Sequence, residues 1–192
     1  GALGDTLLDP ELTLALKASN ASAVGHSLEM EPHWAFALES LCYAIESGKV
    51  KGPIVLLKGG HFRRTIYGEA PYLREMGDLD LLVSSGDLRE VRLVLRSLGL
   101  EPASRAGPRF HRELQHDEAW MRVLPSGRAL KIDLHRGLMD LLRGAPPVKN
   151  LIEGSIAVPG MAGISVLAPV HSAAHCALHL ATDDFSGGMK SL

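Results

Sequence analysis

Apolar residues in the first fifty positions recur every three to four residues, which is the spacing of one helix face. Asp9 and Pro10 have the order of a cap and a first-turn proline, so they predict a helix that runs to about Ala18. A second helix is predicted over residues 31–47. Its apolar stripe predicts packing against a core and consists of Trp34, Leu38, Leu41, Cys42 and Ile45.

The middle of the chain alternates between short apolar runs and amphipathic stretches, which predicts strands connected by helices. In chain order the pattern predicts a buried strand over residues 54–57, a short helix over 61–67, a strand over 78–83 and a helix over 85–98. Gly99 is typical of the residue that ends such a helix. Residues 101–107, which are rich in proline and glycine, predict a linker.

The second half of the chain predicts antiparallel strands and short helices. Residues 119–124 and 129–134 flank a turn signal at 125–128, which indicates a hairpin. The remaining predicted elements are helices over 138–142 and 148–152, a hairpin of 156–158 with 164–167, and a last helix over 169–181.

These elements predict an α/β fold of the α+β type, with a small mixed sheet flanked by helices and a short helical C-terminal segment. We expect N-terminal helices in residues 1–50, a core in 51–142, and a hairpin and helical segment in 143–192. Residues 187–192 have the pattern of a new helix, which favours a longer parent chain.

The charge balance excludes some classes of partner. The 192 residues include 20 basic and 22 acidic side chains, so we expect no broad surface for DNA and no attraction to an anionic membrane. No apolar run approaches the ~20 residues that cross a bilayer. We interpret the two cysteines as free thiols, and this predicts a cytoplasmic protein.

The candidate chemistry is concentrated in residues 56–83. Gly59 and Gly60 follow the first strand, where they predict a sharp turn that brings backbone N–H groups close to an anion. Asp78 and Asp80 occupy positions i and i+2 of the second strand, so their side chains share one face and their Cα atoms lie roughly 6.5 Å apart. Two carboxylates at this spacing predict a site for one hard cation.

A third carboxylate lies on a later strand. Apolar and polar residues alternate over 130–135, so Asp133 and His135 lie on the polar face of that strand. We expect this strand to pair beside the strand of Asp78 and Asp80, so that the three carboxylates converge on one cleft. His135 could contact a phosphate, orient Asp133, serve as a metal ligand or, partly buried, bond to a neighbouring residue.

Three arginines are candidates for contacts with phosphates, and they are Arg63, Arg64 and Arg74. The first two lie within about one helical turn of the glycine pair, and the third precedes the aspartates. A solvated helix face is the alternative for the first two, and an ion pair with Glu69 or Glu75 is the alternative for Arg74.

The order of these motifs resembles the nucleotidyltransferase superfamily that includes DNA polymerase beta. The motifs LLKGG, MGDLDLLV and IDLH, with a late helix of repeated histidines, are similar to one bacterial branch, an uncharacterised nucleotidyltransferase family. That family is marked by K-G, R-x-x-x-D-x-D-L-L-V and D-L-H. The similar stretch extends from about Val55 to His179 and covers most of the chain.

The resemblance implies transfer of a nucleoside monophosphate from an NTP to a hydroxyl of an unknown acceptor, which could be a small molecule, a protein or an RNA end. It implies that the catalytic residues, which also hold Mg²⁺ or Mn²⁺, are Asp78, Asp80 and Asp133. The implied nucleotide-binding residues are Lys58, Gly59, Gly60, Arg63, Arg64, Arg74 and His135. The gap between Gly60 and Asp78 is longer than in the best-studied members.

Two other functions stay open. A member without catalysis could act as a nucleotide-binding or antitoxin-like module, although three carboxylates argue against this interpretation. His171, His175 and His179 recur every four residues, so any adjacent pair has the spacing of zinc ligands and would suit a metal-dependent phosphohydrolase. They lack the acidic partner of an H-E-x-x-H motif, and we favour a helix face that lines the cleft.

Overall fold

The structure of the protein, a computed structural model, describes residues 10–103, 117–138 and 147–182, with side chains described over 21–103, 117–138 and 147–177. In chain order its elements are helix α1 (Pro10–Glu46), strand β1 (Ile54–Leu56), helix α2 (Lys58–Thr65), a 3-10 turn (Pro71–Leu73), strand β2 (Leu79–Leu82), helix α3 (Leu88–Ser97), strands β3 (Glu101–Pro102), β4 (Asp117–Val123) and β5 (Ala129–His135), helix α4 (Val148–Glu153), strands β6 (Ile156–Ala157) and β7 (Ile164–Val166), and helix α5 (Pro169–Thr182).

The strands that the structure describes form one mixed sheet in the order β3–β4–β5–β2–β1–β7–β6. In its centre, β1 pairs antiparallel with β2 and parallel with β7, while β2 pairs parallel with β5. The outer pairs are antiparallel. Helices flank the sheet, so the predicted fold class is confirmed.

One face of the sheet packs against α1 and α3 to form the main core. Leu79 and Leu81 of β2, with Ile132 and Leu134 of β5, are at most 1% exposed. Because side chains alternate along a strand, the residues between them point to the opposite face. Burial of these four apolar side chains therefore decides which way the aspartates of the two strands point.

The opposite face of the sheet has an apolar part and a polar part. Helix α4 packs on the apolar part through its Leu151, which is buried in one cluster with Val55, Leu57, Leu82, Leu138 and Leu167. The polar part carries Asp80, Asp133 and His135. The two parts are neighbours because Leu82 and Asp80 lie on the same face of β2.

Helix α1 is continuous, so the prediction of two separate N-terminal helices was wrong. It passes through Pro32, and a proline inside a helix costs ~3 kcal/mol relative to alanine. Pro32 lies on the exposed side, while Trp34, Leu38 and Leu41 of the predicted stripe are buried in the core. Packing of this apolar face offsets the free-energy cost of Pro32, and the helix continues past the proline.

Three other predicted boundaries were also wrong. Helix α2 begins at Lys58 rather than at residue 61, α3 begins at Leu88 rather than at residue 85, and Glu101–Pro102 pairs with β4 instead of forming part of a linker. At α3 the residue before the helix bonds to a distant part of the chain. Asp87 accepts hydrogen bonds from the backbone N–H groups of Lys51 and Gly52, at 2.8 and 3.1 Å, instead of capping its own helix.

Both predicted hairpins are confirmed, as are the helix α4 and the last helix α5. Residues 104–116 and 139–146, which include most of the predicted linker and of the helix over 138–142, lie outside the described residues. The division into three segments stays a prediction, and β7 of the last segment pairs directly with β1 of the core. Both cysteines are free, and within the described residues no helix is both long and apolar enough to span a bilayer.

Gly163, at the start of β7, provides a test of how α1 is held on the sheet. A Cβ atom at Gly163 would lie 2.5 Å from Cγ2 of Ile45, whereas a Cβ atom at Gly160 would meet nothing within 4 Å. Both glycines have positive φ, 67° and 75°. We expect Gly160→Ala to lower the free energy of unfolding by about 1 kcal/mol through backbone strain alone, and Gly163→Ala by about 3 kcal/mol. Urea denaturation of the two variants checks this difference, and equal losses would contradict the contact with Ile45.

Candidate active site

Two of the three predicted aspartates lie side by side on the sheet. In the parallel pair of β2 and β5, Asp80 is the register partner of Asp133. Neighbouring strands lie ~4.8 Å apart, so the side chains of this pair project into the same space. Asp78 lies one residue before β2 and shares the face of Asp80. The structure therefore brings the three carboxylates together through strand pairing.

Asp80 is the most enclosed of the three, with a side chain that is 4% exposed. Its Oδ1 atom accepts a hydrogen bond of 2.7 Å from Nε2 of His135 and lies 3.3 Å from Nζ of Lys58. Burial alone would raise the pKa of Asp80, but the hydrogen bond from His135 and the positive charge of Lys58 outweigh burial and lower it. Asp80 is thus held in its charged form.

The other two carboxylates are shifted in the opposite direction. Burial and the negative charge of Asp80 raise the pKa of Asp78, although Lys58 and Lys131 oppose the shift. Burial and the charges of Asp78 and Asp80 raise the pKa of Asp133 to about 6. Mutual repulsion of this kind requires that the three groups lie close to one another, and it identifies a concentration of negative charge that attracts a cation.

His135 was predicted to lie near the nucleotide, and the structure places it against Asp80. Its side chain is 5% exposed, and Nε2 must carry the proton in order to donate to the carboxylate. This contact fixes the orientation of the Asp80 carboxylate. Of the uses that the sequence leaves open for His135, the structure shows a bond to a neighbouring carboxylate.

The glycine pair does not form the predicted turn. The chain turns one residue earlier, at Lys58, whose φ of 40° is unusual for a residue with a side chain and costs ~1–2 kcal/mol. Gly59 and Gly60 lie in the first turn of α2, where added Cβ atoms would each approach to 3.0 Å of a neighbour, Met76 or Leu79. Close packing of α2 on β2 and on the preceding loop thus favours glycine at both positions.

The N-terminus of α2 nevertheless lies beside the aspartates. The N–H of Leu57 donates to the carbonyl of Asp80 at 3.0 Å, and His61 makes the first i to i−4 bond of the helix, to the carbonyl of Leu57. The N–H groups that precede it have no acceptor within the helix, and helix N-termini favour anions. A phosphate bound there would lie next to Lys58 and to the carboxylates.

Arg63 is not placed where a nucleotide could reach it. Its side chain is 3% exposed, it forms a close ion pair with Glu31, and it donates to the backbone carbonyl of Arg74 at 2.9 Å. Its guanidinium also lies 4.9 Å from the ring centre of Trp34. The prediction that Arg63 binds nucleotide is therefore corrected to a structural contact between α2, α1 and the loop before Asp78.

The two other arginines are placed differently from each other. Arg64 lies 3.8 Å from Glu31 and lines a cavity of about 370 Å³ beside α1, together with Tyr43 and Met161. The aspartates do not line that cavity. Arg74 is partly exposed, and its positive charge acts on the Cys176 thiol of α5.

Helix α5 contacts α2. Ser172 Oγ lies 3.4 Å from Nδ1 of His61. Burial raises the pKa of the Cys176 thiol, while the positive charges of Lys58 and Arg74 oppose that shift. Ser172 and Cys176 are four residues apart in the sequence, so both lie on one face of the helix.

The three histidines of α5 do not form the metal centre of the alternative function within the described residues. His175 is buried and His171 is partly buried, while the side chain of His179 lies outside the described residues. Across the described part of the chain, no three His, Cys, Asp or Glu side chains are grouped as a ready metal site. This holds for the three aspartates as well, whose carboxylates are not arranged as a ready metal site.

The donor set itself fits a divalent cation of the Mg²⁺ type. Carboxylate oxygens are the ligands that hard cations prefer, and burial together with the neighbouring carboxylates raises the pKa values of Asp78 and Asp133. A divalent cation between them would remove this repulsion. Asp78, Asp80 and Asp133 are accordingly the residues that would hold it.

The correction at Arg63 gives a test based on stability. Arg63→Met leaves Glu31 without its buried partner and the Arg74 carbonyl without its donor, so we expect the free energy of unfolding to fall by about 3 kcal/mol. Arg64→Met, which removes only a 3.8 Å contact to the same glutamate, should cost under ~1 kcal/mol. Urea denaturation measures both, and an Arg63→Met variant as stable as the Arg64→Met variant would restore Arg63 as a candidate for nucleotide binding.

The raised pKa of Asp133 gives a test based on pH. Because this pKa rises from 3.8 in the unfolded chain to about 6, the native state binds the proton more tightly, and stability is lost as pH increases from 4 to 6. In EDTA, Asp133→Asn should therefore raise the free energy of unfolding by about 1 kcal/mol at pH 8, after allowance for screening by solvent, and leave it unchanged at pH 4. The exposed-site variant Glu153→Gln serves as control. A gain of equal size at both pH values would contradict the repulsion described above.

A comparison with protein families places this site in a known context. A family model described as uncharacterised nucleotidyltransferase matches residues 23–192, a range that contains Lys58, the three aspartates and His135. No curated protein and no solved structure matches the chain. The family match covers most of the chain, and so the protein belongs to the uncharacterised nucleotidyltransferase family.

Proposed function

We propose that the protein is a Mg²⁺-dependent nucleotidyltransferase that moves a nucleoside monophosphate from an NTP to a hydroxyl of an acceptor. The observation that carries the proposal is the convergence of Asp78, Asp80 and Asp133 beside the N-terminus of α2. Carboxylates that hold a cation and backbone donors for phosphate are the two requirements of phosphoryl chemistry. Membership of a nucleotidyltransferase family supports the same class of reaction.

The residues of the chain would act mainly by position and charge. The N–H groups at the start of α2, together with Lys58 and Arg74, would hold the triphosphate. The three aspartates would hold Mg²⁺ or Mn²⁺, which supplies charge stabilisation at the phosphates. The acceptor oxygen attacks the α-phosphorus and forms a new phosphoester bond, and pyrophosphate leaves with the electrons of the broken bond. Asp133, with its pKa of about 6, is suited to accept the proton of the attacking hydroxyl.

His135 has a positioning role in this proposal. Its hydrogen bond of 2.7 Å orients Asp80, and its place on β5 puts it two residues from Asp133. Without this donor, Lys58 would be the one remaining side-chain partner of the Asp80 carboxylate among the contacts described above. The acceptor is a small molecule, a protein or an RNA end, since the near-neutral charge of the chain offers no broad surface for duplex DNA.

The first measurement is stabilisation by ligand. Each NTP with Mg²⁺ should raise the melting temperature of the wild-type protein, because a ligand of the native state stabilises it by mass action. Asp80→Asn should lose this metal-dependent shift, while the control variant Glu153→Gln should keep it, since Glu153 lies on the surface of α4. Absence of a shift with every NTP at millimolar concentration would contradict nucleotide binding at this site.

The second measurement identifies the group that is transferred. The protein is incubated with Mg²⁺, a lysate of its host, and NTP labelled either at the α-phosphate or at the γ-phosphate. Nucleotidyl transfer should label an acceptor from the α-position and release label from the γ-position as pyrophosphate. We expect Asp78→Asn and Asp80→Asn to reduce acceptor labelling by at least ~100-fold. Binding without labelling of any acceptor would favour the nucleotide-binding module over the transferase.

A further inference from the structure

Lys58 combines a strained backbone with a specific ionic contact. Among the described residues it is the one residue other than glycine with a positive φ, 40°. Glycine would adopt this conformation without strain, and the next two residues are in fact glycines. A lysine at this position therefore indicates a use for the ammonium group, because strained residues persist where the surrounding structure and the function require them.

The ammonium group of Lys58 shares one oxygen atom with His135. Nζ of Lys58 lies 3.3 Å from Oδ1 of Asp80, and Nε2 of His135 lies 2.7 Å from the same atom. The side chain of Lys58 is 27% exposed, whereas that of His135 is 5% exposed. Of the two partners, Lys58 has the longer contact, the flexible side chain and access to solvent, so it is the one that can leave.

A divalent cation held by Asp80 and its neighbours would face Lys58 at close range. Like charges at such distances repel strongly in a partly buried site, so Lys58 and the cation compete for Asp80. Lys58 is also the first residue of α2, beside the N–H groups that favour a phosphate. The same side chain can therefore turn from a carboxylate to a phosphate without moving its own backbone.

We propose that Lys58 is the counter-cation of Asp80 in the metal-free site, and that it leaves Asp80 for a nucleotide phosphate when the divalent cation binds. This inference rests on the proposed function, because it takes the aspartates as the metal site. Its consequence is positive coupling between metal and nucleotide. The nucleotide removes the competitor of the metal, so each ligand should increase the affinity for the other.

The test is the affinity of the complete chain for Mn²⁺ alone, measured by calorimetry in the absence of nucleotide. Lys58→Met keeps the length of the side chain but removes the competing charge, so we expect Mn²⁺ to bind about fivefold tighter than in the wild type. Binding of the NTP that most stabilises the wild type should weaken in the same variant. Lys58→Gly, which accepts a positive φ without strain, provides a second variant in case Lys58→Met is poorly folded.

Lys131→Met is the matched control. Lys131 also lies close enough to lower the pKa of Asp78, and its removal takes one positive charge from the same region. It is an exposed residue of β5, and it is not among the groups that shift the pKa of Asp80. A general effect of charge would tighten Mn²⁺ binding equally in both variants, whereas competition for Asp80 requires a larger gain in Lys58→Met.

The outcomes separate this inference from the proposed function. Tighter Mn²⁺ binding in Lys58→Met and Lys58→Gly, with weaker nucleotide binding and a smaller effect in Lys131→Met, supports the inference. Mn²⁺ and nucleotide binding by the wild type, with no gain in Mn²⁺ affinity in the Lys58 variants or an equal gain in the control, overturns the inference alone. No Mn²⁺ binding by any variant, with or without nucleotide, overturns both.

Discussion

The parallel pairing of β2 with β5 is the constraint on which the candidate site depends. Its register joins Leu79 to Ile132, Asp80 to Asp133 and Leu81 to Leu134. A slip of one residue would turn Asp133 into the core and expose Ile132 and Leu134, both of which are fully buried. The hydrophobic core on one face of the sheet thereby fixes the position of the charged groups on the other.

That constraint has an electrostatic cost. Three carboxylates are held in a partly buried cleft, and burial together with their repulsion raises the pKa of Asp78 and Asp133. Asp80 differs because His135 and Lys58 both approach its Oδ1 atom. The site thus contains Asp80, which is stabilised in its charged form, and Asp133, whose pKa is raised to about 6. Carboxylates with pKa values shifted in opposite directions are typical of sites that transfer protons.

The basic residues near the cleft have different roles, which follow from their contacts and not from their distance along the chain to the aspartates. Arg63 lies in the same short helix as Arg64 and faces α1, where Glu31 and Trp34 enclose it. It connects α1 to the carbonyl of Arg74, only four residues before Asp78. Lys58, by contrast, contacts a carboxylate of the candidate site. Its backbone has a strained positive φ, and its ammonium group donates to Asp80.

The sequence by itself determined the strands that carry the aspartates, the hairpin of β4 and β5, and the face on which Asp133 lies, because strict alternation of apolar and polar residues specifies which side of a strand is buried. It did not determine the continuity of α1, since packing of Trp34, Leu38 and Leu41 offsets a local cost at Pro32. Nor did it determine the use of Gly59 and Gly60, whose need arises from Met76 and Leu79. Arg63, Lys58 and His135 each pair with a carboxylate that lies 22 to 55 positions away along the chain. Such contacts exist only once the tertiary structure has formed.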